Sequence, residues 1–281
     1  MITKISKRIL FFAGLLLIIG FSACRNRDNK MIAKGNIEFG KKNFEEAIVF
    51  YKKALEINPN SWEAYYDIAL CKGKLGNDTG AINDYTSAAK INPNDNVNIY
   101  INRGNHYVNI KDYQGAIGDF KKAIELNPSN EELYIWMGAS YRSFGNSEEA
   151  IKSFSQALKV NPKSITAFSE RGYTYLVDKK YQEAINDFNE GLTIYNKDAI
   201  MLNNRAFSKF NLKDFDGAFE DVNNSINLDP KSSYAYKVRG EIYLEKKDKS
   251  NACNDFNKAL ELGYTKNFGN DIQDLIRDNC K

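Results

Sequence analysis

All five prolines of this 281-residue chain sit in one kind of place. Four follow asparagine, at Asn58-Pro59, Asn92-Pro93, Asn127-Pro128 and Asn161-Pro162, and the last follows aspartate at Asp229-Pro230. The steps between them are 34 (93 − 59), 35 (128 − 93), 34 (162 − 128) and 68 (230 − 162), the last being two steps of 34 with the middle proline missing. A fixed period of this length means stacked structural units rather than one closed core. It overrides the one or two globular domains that length alone would predict.

Placing each proline at position 32 of 34 yields seven units, beginning near residues 28, 62, 97, 131, 165, 199 and 233, with residue 96 as a single insertion. Position 20 is then alanine in every unit, from Ala47 to Ala252. Position 8 is always small: Gly35, Ala69, Gly104, Gly138, Gly172, Ala206 and Gly240. Position 24 is Tyr51, Tyr85, Phe120, Phe154, Phe188, Val222 and Phe256. Small residues at 8 and 20 let two helices approach closely, and the bulkier residue at 24 fills the space beside them. Polar turns such as Gly76-Asn77 and Lys213-Asp214 lie between. Each unit is therefore helix A, turn, helix B. The proline stops helix B because it disfavours the helical conformation in the residue before it. Asn60 or Ser61, Asp95, Asn130, Ser164 and Ser232 are placed to cap the next helix A.

This pattern resembles the tetratricopeptide repeat, a helix–turn–helix unit of about 34 residues. The resemblance covers 28–264 and implies an all-α fold: a right-handed α-solenoid of seven repeats, closed by a C-terminal capping helix within 265–281. Two units depart from the pattern. The fifth has Tyr195-Asn196 in place of Asn-Pro, so a different bend is expected at that corner, and the seventh ends in Gly263, a candidate helix C-cap. Comparing units also predicts an ion pair. Position 7 is arginine in four of them (Arg103, Arg171, Arg205, Arg239), and position 23 of each is aspartate (Asp119, Asp187, Asp221, Asp255). The expected role is to join helix A to helix B within a unit, worth about 0.2–1 kcal/mol if exposed. Pairing to the neighbouring unit fits less well, since Arg171 would then face Ser153.

Residues 1–23 differ from the rest. Lys4, Lys7 and Arg8 precede the short apolar run 9–20, as in a secretory signal. Ser22-Ala23 before Cys24 resembles the lipobox of bacterial lipoproteins, with Phe21 where that pattern prefers leucine. The resemblance implies cleavage before Cys24, a diacylglycerol on its sulfur and an acyl chain on its amine. That would tether the chain to a bacterial cell envelope, with the outer membrane expected. A plain signal peptide or an uncleaved signal anchor are the other readings. Residues 24–27 would be the lipidated terminus and linker, reaching about 10 Å at most. Arg25, Arg27, Lys30 and Lys34 would then either meet anionic headgroups or form an ordinary solvated cluster. Removing 1–23 takes away three basic and no acidic side chains, so the 39 basic residues fall to 36 and match the 36 acidic ones. The basic balance is no argument for a nucleic-acid partner, and none is expected.

In an exported chain Cys253 and Cys280 could form a disulfide stapling the cap to the last repeat, or remain two thiols, while Cys71 fits a small buried residue. No catalytic residues are expected. The one histidine, His106, fits a packing or polar surface role better than that of a base. No metal-ligand spacing or phosphate-binding glycine loop occurs, and no cofactor or metal is expected.

Binding is the alternative to catalysis. With positions 4, 7, 8 and 11 of helix A turned inward, positions 2, 5, 6, 9, 12 and 13 share the other face. In the family this face lines a concave groove that holds a partner peptide. The candidate groove residues are Asn102, Asn105, Asn109, Trp136, Arg142, Tyr173, Asn204, Phe207, Phe210 and Asn211. Asparagine pairs with a peptide backbone through donor and acceptor alike, and aromatic residues supply most binding energy at interfaces. The superhelix itself, or lipid, could also fill these positions. Some family members grip a C-terminal carboxylate with Lys and Asn at fixed groove positions. Ile32 and Asp67 stand there instead, which argues against a chaperone-tail adaptor. The expected function is a lipid-anchored scaffold for another envelope protein or peptide. The alternatives are a carbohydrate or peptidoglycan binder and a non-catalytic subunit of an envelope assembly or secretion complex.

Overall fold

A computed structural model describes residues 27–94 and 96–280. The signal segment, Cys24 and Asp95 lie outside these residues. Regular structure among the described residues is helical, in two compact units that divide between Pro128 and Ser129. The N-terminal unit holds α1 (27–40), α2 (Phe44–Ile57), α3 (Trp62–Lys74), α4 (Asp78–Ile91), α5 (Val97–Asn109) and α6 (Tyr113–Leu126). The C-terminal unit holds α7 (Glu131–Ser143), α8 (Ser147–Val160), α9 (Ile165–Val177), α10 (Tyr181–Ile194), α11 (Ala199–Asn211), α12 (Phe215–Leu228), α13 (Ser233–Glu245) and α14 (Lys249–Glu261). Two shorter helices follow, α15 (Tyr264–Phe268) and α16 (Asp271–Asn279). Odd-numbered helices from α1 to α13 are the A helices of seven repeats, and even-numbered helices up to α14 are their B partners. The capping helix expected within 265–281 is α16, and Gly269, with φ of 103°, separates it from the short α15.

Caps set the boundaries. Ser61, Asn130, Ser164 and Ser232 each accept a backbone N–H from the first turn of their A helix. The cap of α5 is Asn96, the inserted residue, rather than Asp95, and Asp198 caps α11 by accepting from Met201 N. Each residue before a proline leaves the helical region, with φ between −129° and −143°. Tyr195 takes the same conformation, φ −140°, without a proline after it. The expected change of bend is absent at that residue. Its backbone N–H donates to the Gly191 carbonyl, the same helix-ending bond that the pre-proline residues make, and its side chain is half exposed.

The core follows the small-large pattern. The alanines at position 20 are fully buried, and Tyr51, Tyr85, Phe120, Phe154, Phe188 and Phe256 are the largest fully buried side chains. The glycines at position 8 lie against these rings: a Cβ on Gly172 would stand 2.7 Å from the Phe188 ring. Where position 8 is Ala206, position 24 shrinks to Val222, though Ala69 coexists with Tyr85.

The predicted ion pairs form within repeats. Arg103 Nε and Nη2 donate to both carboxylate oxygens of Asp119 at 2.8 and 2.6 Å. The same fork joins Arg171 to Asp187, Arg205 to Asp221 and Arg239 to Asp255. All four aspartates are buried, so the value for an exposed pair does not apply. Asp84, which has no arginine at position 7, meets Lys72 Nζ at 2.5 Å instead. Cys253 and Cys280 are bonded, fastening α16 to α14, and Cys71 is buried and free.

Candidate functional site

The A-helix faces carry the candidate site, and each compact unit presents its own. In the N-terminal unit Asn102 Nδ2 donates to the Tyr66 hydroxyl at 3.0 Å, and Tyr66 meets Tyr85 edge-on at 5.5 Å. Asn109 Nδ2 donates to Asp78 Oδ1 at 2.9 Å, and His106 Nδ1 lies 2.6 Å from the same oxygen with its ring stacked on Tyr85. These two partners hold the Asp78 carboxyl below the usual carboxylate range. His106 thus ties α5 to the start of α4, a packing role. Asn105 is exposed. Asp67 lies on α3, and burial, with the nearby Glu63 carboxylate, pushes its carboxyl up to about 6. That position would repel a partner's carboxylate.

In the C-terminal unit Arg142 leaves the end of α7 and reaches α9. Its Nη1 is 2.6 Å from Glu170 Oε2, and its guanidinium lies over the Tyr173 ring, 5.1 Å from the centroid. Tyr173 remains 42% exposed, which makes it the open aromatic of this face. Trp136 is half-buried. The other candidates require correction. Asn204 is 8% exposed and offers no free amide to a partner. Phe207 and Phe210 pack against the core formed by Ala206, Val222 and Val238. By contrast, Asn211 is half-buried, and its Nδ2 donates to the Phe207 carbonyl one turn back at 2.8 Å, which leaves its Oδ1 and second N–H without a protein partner among the described residues.

One part of this face was missed. Tyr234, at position 2 of α13, stacks on Tyr264 of α15 (6.4 Å, 5° between planes) and meets Phe268 at 5.2 Å and Phe207 at 6.1 Å. Lys237, at position 5, is buried and bonds Glu241 at 2.7 Å, with Asp271 at 3.5 Å. Position counting alone would have placed Tyr234 and Lys237 on the outer face. The return of α15 over them is a tertiary feature with no local signal. Burial raises the Glu241 carboxyl above its ordinary value despite Lys237. Among the described residues no three His, Cys, Asp or Glu side chains gather to hold a metal ion.

Comparison with known proteins follows this architecture. Tetratricopeptide-repeat family models match residues 35–76, 63–95, 97–130, 120–152, 137–199 and 234–262, together most of the chain. A small glutamine-rich tetratricopeptide repeat-containing protein 2 of Mycosarcoma maydis is 35% identical over 101 residues, 36% of this chain and 28% of that protein. The match thus spans less than a third of that curated relative. A crystal structure of a tetratricopeptide repeat protein from Parabacteroides merdae superimposes with a TM-score of 0.63 at 24% identity, over 90% of this chain and 99% of that one. The C-terminal part of a repeat-containing protein from Cytophaga hutchinsonii has a TM-score of 0.69 at 19% identity, over 86% and 98%. These two likenesses show the fold alone.

Proposed function

This chain belongs to the tetratricopeptide-repeat family, and on that premise we propose that it is a protein-interaction adaptor, tethered to a bacterial cell envelope through a lipid on Cys24. Stacked repeats of this kind serve as extended binding surfaces. The observation that supports the reading is Tyr173. It is a large aromatic kept open on the A face, with its ring held by Arg142 and the Arg142 charge met by Glu170. A rigid, half-exposed aromatic beside a positioned arginine is the composition of an interface hot spot. The partner is a segment of another envelope protein. The tether rests on the basic and apolar N-terminal segment and the Ser22-Ala23-Cys24 sequence. The Asp67 carboxylate, in place of the family's carboxylate-gripping side chains, favours a partner segment without a C-terminal carboxylate at that point.

The test is site-specific photo-crosslinking in intact cells. A photoreactive residue at position 173 should yield one discrete protein adduct. The same residue at the exposed Glu220 on α12 should not. Equal adducts at both positions, or none at 173, would refute the A-face reading. Cys24→Ser should move the protein from the membrane fraction to the soluble fraction, and unchanged fractionation would refute the lipid tether.

A further inference from the structure

The joint between the fifth and sixth repeats departs from the first four joints at three positions at once, and from the sixth, which has Asn227 at the third of them, at two. Asn196 stands at position 32, where Pro59, Pro93, Pro128, Pro162 and Pro230 stand elsewhere. Leu202 stands at position 4 of the following helix, where the other repeats after a joint carry Tyr65, Tyr100, Tyr134, Phe168 and Tyr236. Thr193 stands at position 29, where Glu56, Lys90, Glu125 and Lys159 stand in the first four repeats. A ring is lost at two of these positions and a long side chain at the third. The result is a cleft of about 450 Å³, bounded by α10, α11, α12 and the joint itself. Small-ligand sites run from roughly 300 to 1,000 Å³.

Its lining is polar and charge-balanced. Asn189, Thr193, Asn196, Arg205 and Asn224 face it, over a floor of Leu192 and Leu202, which are 7% and 6% exposed. Arg205, its one cation, is already spent. Nε and Nη2 donate to Asp221 at 2.8 and 2.5 Å, and Nη1 donates to Asn189 Oδ1 at 2.7 Å. No carboxylate lines the cleft, so it has no donor set for a metal ion. Accepting from Arg205 fixes the Asn189 amide with its N–H groups free. Among the described residues the side-chain amides of Asn196 and Asn224 make no hydrogen bond. Thr193 Oγ1 donates to the Asn189 carbonyl at 2.8 Å, which leaves its own oxygen to accept.

We propose that this cleft binds one ring of a neutral carbohydrate. Each hydroxyl of a sugar ring is donor and acceptor together, and so is each of these amides. The C–H face of the ring fits an apolar floor of two leucines. A charged ligand gains little where the only cation is paired. An extended peptide needs a groove running past several repeats, whereas this cleft is confined to one joint. The site uses positions 25, 28, 29 and 32 of the fifth repeat and positions 4, 7 and 26 of the sixth. It is therefore separate from the outer A face and independent of the adaptor reading.

The experiment follows the side-chain amide resonances of Asn196 and Asn224 in proton–nitrogen correlation spectra of the full chain. Methyl glucoside, methyl mannoside, methyl galactoside and N-acetylglucosamine are titrated in turn, beside inorganic phosphate and triglycine. At least one sugar should shift these resonances saturably, with a Kd of about 1 mM, as expected for a ligand of a dozen heavy atoms. Leu202→Tyr and Asn196→Pro restore the residues that the other joints carry, and each should weaken binding about tenfold or more. Asn224→Ala, at an exposed position, should do the same without disturbing the fold if either restoring variant misfolds. The proposal is overturned if no sugar gives a saturable shift, or if phosphate or triglycine does so in their place. It is also overturned if every variant that folds binds as the parent does.

Discussion

Arg239 Nη1 donates to Asn223 Oδ1 at 2.9 Å and so joins the seventh repeat to the sixth. The other two nitrogens of the same guanidinium hold Asp255 inside the seventh repeat. One side chain thus fastens three helices. The arrangement recurs: Arg103 reaches Thr86, Arg171 reaches Ser155 and Arg205 reaches Asn189, always at position 25 of the preceding repeat. The pairing to a neighbour, which fits less well at Ser153, is made instead by the residue two positions on. The sequence carries a matching signal. Position 25 is a small or polar acceptor ahead of each arginine-bearing repeat. It is Lys52 and Lys121 ahead of the two repeats that have Ile68 and Met137 at position 7.

Arg239→Lys keeps the charge but loses the planar fork and the bond to Asn223, and is expected to cost about 1–3 kcal/mol. Asn223→Lys should cost more than Asn223→Ala, because it sets two cations face to face. Urea denaturation midpoints check both. Equal midpoints for the two Asn223 variants would count against the clamp.

Gly172 lies under the Phe188 ring with no room for a methyl group. Gly172→Ala should destabilise by about 1–3 kcal/mol through overpacking. Combining it with Phe188→Val reproduces the Ala206 and Val222 pair of the sixth repeat. The double variant should lose at least about 1 kcal/mol less than the sum of the single ones. Strict additivity in a double-mutant cycle would show that the two positions are not coupled.

The turn between helices A and B requires a left-handed residue. Gly76 and Gly145 supply it in two repeats, but Lys42, Lys111, Lys179, Lys213 and Lys247 adopt φ of 60–68° in the others. A side chain there costs about 1–2 kcal/mol, partly offset by the entropy a glycine would lose, so Lys179→Gly should stabilise by roughly 0.5–1 kcal/mol. A rise in Tm is the expected reading, and a fall would mean that the Lys179 side chain makes a compensating contact.

Asp67 has its carboxyl raised to about 6, above its ordinary value of 3.8. The folded chain therefore binds a proton that the unfolded chain releases between those values, and stability falls as pH rises through this window. Asp67→Asn removes the charge that burial penalises. It should stabilise by about 1–3 kcal/mol near neutral pH and give almost no gain near pH 4. A gain independent of pH would assign the effect to something other than titration.

The Cys253–Cys280 bond closes a loop with a sequence separation of 27. A loop of that length stabilises by about 3–4 kcal/mol on the chain-entropy view. In a repeat protein the loss should stay local. Cys280→Ser should raise amide exchange in α15, α16 and α14 and leave α2 to α5 unchanged. A uniform rise across the chain would contradict this.

Much of the fold was legible because each repeat restates the same local rules. The alanine at position 20, the glycine or alanine at 8 and the ring at 24 announce two close helices. Arg103 and Asp119 announce their pair because three other repeats repeat it. The candidate site was less legible. Position counting placed Asn204, Phe207 and Phe210 on an open face, and the structure uses them for packing. Tyr173 was legible from its position, but its contact with Arg142 from the preceding repeat was not.

By itself the sequence determined the period, the identity of the helices, the two faces of each and the contacts within a repeat. These depend on residues at most one repeat apart, whose geometry is set by the helix and its caps. Only the tertiary structure decided which outer-face residues remain accessible, where α15 folds over Tyr234 and how the Tyr195 corner stays extended without proline. It also decided that the losses at Thr193, Asn196 and Leu202 leave one open cleft. Exposure at a given position is a property of the neighbouring repeat and of the chain end. No periodic pattern within a single repeat encodes either.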